Sequence, residues 1–281
     1  MTTRAPGGAI RNVLVHLDAA ECAPARLRAA RAVAQRFDAE VFAQFCVEPS
    51  LASMRVAIAE SPAALFETRT AVALEQAQRW FGQDAAAGGT WLEPSGADAA
   101  EAFVRQARCA DLIVMGTLEA ATADSMIPSG LTEAVLLRSG RPLLLMPPQV
   151  ASWDAGVDVV VVGWNGSAHS ARAVSAALPW MQAARCVHVL VSRRTLEASE
   201  VDGLELHGAL ARHGIEATMH DDVGDAPGDD AGQRLSRLAQ EVGAGLVAMG
   251  GYGHARLQEQ VLGGATATML RAAPLPVLMA H

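Results

Sequence analysis

Short, almost uninterrupted apolar runs such as Val13-Leu14-Val15, Leu112-Ile113-Val114-Met115 and Val159-Val160-Val161-Val162 alternate with longer stretches whose apolar positions recur at helical spacing. Runs that are apolar at every position belong to strands covered on both faces, as in a parallel sheet between helices. The alternation predicts strand 11–17, helix 22–37, strand 39–46, helix 61–82, a short strand at Thr90-Trp91-Leu92, helix 97–108, strand 111–116, helix 130–139 and strand 142–146. It continues with strand 157–163, helix 168–180, strand 186–192, helix 203–213, strand 215–220, helix 230–242, strand 245–250, helix 265–272 and strand 276–280. The fold class is α/β, with doubly wound parallel sheets.

The pattern runs through twice. Val13-Leu14-Val15-His16-Leu17-Asp18 corresponds to Val159-Val160-Val161-Val162-Gly163-Trp164-Asn165, with Asp18 and Asn165 147 positions apart. Asp111 to Gly116 corresponds to Gly245 to Gly250, and Pro142 to Met146 to Pro276 to Met279, both at an offset of 134. The second copy is shorter by 13 residues, a difference that falls around its second helix and leaves the sheet intact. Pro147-Pro148 cannot donate in a central strand, so the linker lies there. The expected domains are 1–148 and 149–281. The terminal strands 142–146 and 276–280 are apolar edges expected to pair with each other, with homodimerisation beyond that.

Composition narrows the function. The 281 residues are 51% hydrophobic, enough for a sizeable core, while no apolar run approaches the length of a membrane span. Met1-Thr2-Thr3-Arg4-Ala5-Pro6 carries no hydrophobic signal core, so the expected location is cytoplasmic. A formal charge of −8 and no basic run longer than Arg193-Arg194 argue against nucleic acid as a partner. All 22 basic residues are arginine. Without lysine the chain has no Walker A loop, no kinase-type lysine and no Schiff-base chemistry. Cys22, Cys46, Cys109 and Cys186 are scattered, which suggests neither a zinc cage nor a disulfide framework, and they are expected to pack as small hydrophobes.

The candidate chemistry lies in Met249 to Leu270. The strand ending at Gly250 runs into a turn made permissive by Gly250, Gly251 and Gly253, and Gly263-Gly264 then precede a helix opening at Ala265-Thr266. Free N–H groups and the positive end of the helix dipole favour an anion there. The spacing Gly250-x2-Gly253-x9-Gly263 resembles the nucleotide loop of the universal stress protein family, whose pattern Gly-x2-Gly-x9-Gly-Ser/Thr wraps the ribose and phosphates of ATP. Gly264 stands at the Ser/Thr place, which keeps the backbone donors and removes a hydroxyl unless Thr266 supplies one. VVVVGWNGSAHSARA (159–173) is similar to that family's opening strand and turn, and Arg138 to Pro142 and Arg271 to Pro276 resemble its ending. The resemblance covers nearly the whole chain twice and implies a tandem member.

Ligands of such sheets lie beyond the carboxyl ends of the strands. In the second copy that crevice is bounded by Trp164-Asn165-Gly166, the strand end near Val191, and the loop 250–266 with Gly250, Gly253, Gly263, Gly264, Ala265 and Thr266. Asn165 replaces the family's usual aspartate, so no metal is firmly implied. The first copy keeps Asp18, yet has Glu119 at the second glycine's place and Leu131 after Gly130, so it is expected to be empty and structural. Tyr252 and Trp164 flank the pocket.

Other groupings point to blander chemistry. His207 and His213 are six apart on a helix and fall on different faces, so with His220 they read as solvated histidines and not as metal ligands. Ser167, His169 and Ser170 read as helix capping and not as a hydrolytic triad. The acidic loop Asp221 to Asp230 lacks the spacing of a calcium loop. Three functions remain open: a stress-response module binding ATP or a related adenine nucleotide in its second domain, a slow ATPase or nucleotidyl transferase using His254 or Arg256, and a nucleotide-free interaction protein of the same fold.

Overall fold

Val, Leu and Ile line the central strands because both faces are covered, and in the computed structural model Val13, Val15, Val160, Val161 and Val162 have no exposed surface. The structure describes residues 10–47, 62–83, 88–93, 98–117, 128, 130–192, 205–222, 230–252 and 264–281. Two compact units divide the chain, Met1–Arg141 with Met146–Ala155, and Pro142–Leu145 with Gly156–His281.

The first unit contains β1 (Asn12–Leu17), α1 (Ala23–Phe37), β2 (Glu40–Phe45), α2 (Pro62–Gly82), β3 (Thr90–Leu92), α3 (Ala99–Ala107), β4 (Leu112–Gly116) and α4 (Leu131–Arg138). Its strands lie in the order β3-β2-β1-β4, and β1 is parallel to both β2 and β4, as β2 is to β3. Helix α1 ends at Asp38, which takes a left-handed conformation (φ 56°) and binds Arg11 through its carboxylate at 2.8 Å. Asp98 caps α3 by accepting from the Glu101 N–H at 2.9 Å.

The second unit is assembled from β5 (Leu143–Met146), β6 (Val159–Trp164), α5 (Ala168–Met181), β7 (Cys186–Val191), α6 (Leu206–Arg212), β8 (Ala217–Asp221), α7 (Ala231–Glu241), β9 (Leu246–Gly250), α8 (Ala265–Ala272) and β10 (Val277–Ala280). The order is β5-β10-β9-β6-β7-β8. All neighbours are parallel except β5, whose Leu143, Leu144 and Leu145 pair antiparallel with Met279, Leu278 and Val277. The two apolar terminal strands thus cover each other's edges, as their sequences suggest.

Glycines set the distances between layers in this unit. A Cβ on Gly163 would lie 3.1 Å from Leu235 of α7, and one on Gly232 would lie 2.9 Å from the Ala265 carbonyl oxygen. The start of α7 is therefore pressed against the start of α8. A capping box at Asp230 and Gln233 fixes α7, and the Thr268 hydroxyl donates to the same Asp230 carboxylate.

Candidate functional site

In a parallel sheet every strand points the same way, so the ends of β6, β7, β9 and β10 in the second unit share one edge with the starts of α5 and α8. At that edge β6 stops at Trp164, and Asn165 turns the chain by accepting from the Ser167 N–H through Oδ1 at 3.1 Å. Ser167 Oγ accepts from the Ser170 N–H at 3.2 Å, and Ser170 Oγ donates to the Ser167 carbonyl at 2.8 Å. These serines cap α5. Asn165 is half-buried, and its amide nitrogen keeps two donors for a ligand.

Gly250 ends β9 directly against α5. A Cβ there would sit 2.6 Å from the Ser170 nitrogen and 2.7 Å from the His169 carbonyl carbon, both backbone atoms. This first glycine of the loop is required by packing, whether or not a ligand binds. Beyond it, the Gly251 N–H donates to the Ala280 carbonyl at 2.8 Å, and His281 Nδ1 lies 3.1 Å from the Gly251 carbonyl. The His281 ring stacks on His169 with centroids 4.1 Å apart. Burial, then His281 and Arg172, push the His169 ring below its ordinary pKa.

Tyr252 follows in a left-handed conformation (φ 53°), and its N–H donates to Thr266 Oγ1 at 2.9 Å. That bond ties the strand end to the first turn of α8, and it leaves the Thr266 hydroxyl hydrogen to donate elsewhere. Gly264 is the N-cap of α8 with φ 101° and ψ −179°, and among the described residues no atom beyond its chain neighbours lies within 4 Å of where its Cβ would be. Only glycine adopts this conformation without strain. Ala265 and Thr266, both half-buried, form the first turn.

Val191 ends β7 beside Trp164, its partner on β6. It is 8% exposed, and its carbonyl accepts from the Asp222 N–H at 2.8 Å. Asp222 is itself buried and held by a bidentate pair with Arg234, one arm at 2.9 Å. Gly253 and Gly263 lie outside the described residues, as do His254, Arg256 and Glu119. The described part of the site places Asn165, Gly250, Gly264, Ala265 and Thr266 at one strand edge, with Val191 at the neighbouring strand end.

The matching edge of the first unit is built from charge. Asp18 accepts from the Ala20 N–H at 3.0 Å, the same turn that Asn165 makes with Ser167. Its Oδ1 also accepts from Arg26 Nη2 at 2.9 Å, and both side chains are 1% exposed. His16 Nδ1 lies 3.9 Å from the other carboxylate oxygen, and its Nε2 lies 2.8 Å from the Cys46 carbonyl, to which it donates. Burial and then Arg26 lower the His16 pKa to about 4, so the ring is neutral. Burial works to raise the Asp18 carboxyl, but Arg26, His16 and the hydrogen bonds together hold it below its ordinary value. At the offset that relates Asp18 to Asn165, Arg26 corresponds to Ala173, so the ion pair exists in one copy alone. Gly130 (φ 73°) caps α4, and the Leu131 N–H is already bonded to the Pro128 carbonyl at 3.1 Å.

Two groupings escape a reading of the sequence. The His16–Asp18–Arg26 cluster was signalled only by an arginine on the inner face of α1. His220 is not a solvated histidine: its Nε2 lies 3.0 Å from His188 Nδ1 on the neighbouring strand. His207 and His213 are exposed. Of the cysteines Cys46 is buried, Cys22 and Cys186 are half-buried and Cys109 is exposed, so Cys109 does not pack as a core residue. Among the described residues no group of three or more His, Cys, Asp or Glu side chains is arranged to hold a metal, and no helix is long and apolar enough to cross a membrane.

No protein-family model and no curated protein matches the chain. Solved structures do. A universal stress protein from Archaeoglobus fulgidus DSM 4304 superposes with a TM-score of 0.68 at 17% identity, over 96% of this chain and 95% of that one. A candidate universal stress protein from Pseudomonas aeruginosa UCBPP-PA14 superposes with a TM-score of 0.55 at 17% identity, over 97% and 93% of the two chains. Taken with the strand orders and the twice-repeated pattern, these likenesses identify the architecture: the chain has the universal stress protein fold.

Proposed function

We propose that the chain is a tandem universal stress protein, with domains at 1–148 and 149–281, whose second domain binds ATP or a related adenine nucleotide. The observation that carries this reading is the helix start at Gly264, whose backbone only glycine adopts easily and whose Cβ position no other described residue approaches within 4 Å. The Tyr252–Thr266 bond holds that start beside the end of β9. Backbone N–H groups at a helix start attract phosphate, with a dipole contribution of about 0.3–1 kcal/mol when exposed. Asn165 adds two amide donors for a ribose or base. Gly253 and Gly263 complete the cradle in this reading, and Val191 bounds it at the neighbouring strand end. The protein then acts as a cytoplasmic, homodimeric sensor whose occupied state is read by a partner.

A second reading, a nucleotide-free interaction protein of the same fold, is favoured by three observations. Packing alone demands Gly250, the Val191 carbonyl is occupied, and the Asp230 carboxylate bonds Thr268 in the first turns of α8. Calorimetric titration of the full chain with ATP, ADP and AMP, with phosphate release followed in parallel, separates the readings. Heat saturating at one site per chain without turnover supports nucleotide binding, turnover supports a slow ATPase, and no heat with any of the three supports the interaction protein.

A further inference from the structure

The most separate piece of chemistry in the second unit lies away from the strand edge, on the outer strands β7 and β8. His188 pairs in register with Thr218, and Leu190 with His220, so the two histidines stand diagonally on one face of neighbouring strands. His188 Nδ1 and His220 Nε2 are 3.0 Å apart, with ring centroids at 5.2 Å and planes inclined by 40°. Helix α7 covers β6, where Leu235 meets Gly163, while both histidines remain half-buried at the rim of this cover. In the first copy, Phe42 pairs with Thr90 and Gln44 with Leu92, so the places of His188 and His220 are held by Phe42 and Leu92. Two apolar residues in one copy are two adjoining imidazoles in the other.

We propose that His188 and His220 form a two-imidazole chelate for a divalent first-row transition metal ion of the copper, nickel and zinc class. Nitrogens bound to one such ion at about 2.0–2.1 Å are separated by roughly 3 Å when they take neighbouring coordination positions, so the pair is already spaced to bind. Without metal, one ring donates an N–H to the lone pair of the other. Metal binding needs both lone pairs, and the donor ring supplies its own by moving that proton to its other nitrogen, so no net proton is released from two neutral rings. Burial and then His220 lower the His188 pKa below its ordinary value. The half-exposed rim lets water complete the coordination sphere. Cys186 and Glu216 each precede the first paired residues of the two strands, Val187 and Ala217, and among the described residues no group of three or more such ligands is arranged to hold a metal. The site is therefore bidentate, follows the order Cu2+ above Ni2+ and Zn2+, and ignores Mg2+ and Ca2+, which take oxygen ligands.

The test is a titration of the full chain, freed of metal with a chelator, using Cu2+, Ni2+ and Zn2+ in competition with a chromophoric chelator. One site per chain is expected. His188→Phe and His220→Leu, which restore the first copy's residues, should each weaken it on the order of 10²-fold, because a chelate loses its second, intramolecular contact. Removing both should abolish the site. His207→Gln and His213→Gln, at exposed positions, should leave the site unchanged, and near-ultraviolet circular dichroism of every variant should match the wild type. Nitrogen hyperfine coupling in the spectrum of the Cu2+ complex should report two imidazoles and fall to one or none in the single variants. Equal affinity and stoichiometry in wild type and the double variant, or no binding of any of the three ions at micromolar concentration, would overturn the proposal.

Discussion

The carboxyl edges of the two units use the same turn for opposite ends. In the first, Asp18 makes its turn bond to Ala20 and then spends its remaining charge on Arg26 inside the fold, with both side chains 1% exposed. In the second, Asn165 makes the same bond to Ser167, Ala173 stands where the arginine would be, and the polar groups stay near the surface. One edge is closed by its own counter-ion. The other keeps neutral donors and a glycine-capped helix start. A carboxylate already held by a buried arginine has no charge left for a ligand, so a family-like aspartate does not by itself mark a binding site.

Breaking the closed edge should give the largest effect. Arg26→Ala leaves a buried carboxylate unpaired and should cost about 3–5 kcal/mol in urea unfolding of the full chain. A loss below about 1 kcal/mol would mean that Asp18 is hydrated and the edge is not closed. Acid should attack the same edge. The His16 pKa is lowered to about 4 from 6.5, so between those values the unfolded chain binds a proton that the folded chain refuses. Stability is present above pH 6.5 and is lost as the pH falls towards 4, by up to about 3 kcal/mol from this group. The depressed Asp18 carboxyl adds a loss of the same sign at lower pH. His16→Gln should flatten the profile between pH 6.5 and 4; an unchanged slope would put the acid sensitivity elsewhere.

The second edge should respond more mildly. Gly250→Ala drives a Cβ into the backbone of His169 and Ser170 and should cost about 1–3 kcal/mol through overpacking. Full stability in that variant would show that α5 can shift, and would return Gly250 to a ligand role alone. Asn165→Ala removes one turn hydrogen bond, worth about 0.5–1.5 kcal/mol, far less than Arg26→Ala in the matching copy.

Much of this contrast could be read from residue order. Uninterrupted Val and Leu runs reported strands buried on both sides, and the repeat at offsets of 147 and 134 placed the strands of the two units, because periodicity and spacing are local properties of a chain. Ser167 was legible as a cap for the same reason. The Asp18–Arg26 pair was not, since an arginine in an alanine-rich helix looks solvated until the fold turns it inwards. The pairing of His188 with His220 spans 32 residues and depends on register between strands, which composition does not encode. The fate of Val191 depends on Asp222 arriving from the next strand. The tight contacts at Gly250 and Gly232 were visible as glycines but not as contacts.

Nucleotide is expected at the strand edge of the second unit and not at the ion-paired edge of the first. The most direct measurement is the affinity of the full chain for ATP in the wild type, in Gly264→Val and in Leu131→Val. Valine at 264 places a β-branched side chain in a conformation near φ 101° that it rarely adopts at the start of α8, whereas Leu131 follows an N-cap in the first unit whose helix already bonds Pro128. One ATP per chain is expected, with affinity reduced at least about tenfold, or roughly 1.4 kcal/mol, by Gly264→Val and unchanged by Leu131→Val. Equal affinity in the wild type and Gly264→Val, or a loss confined to Leu131→Val, would contradict it.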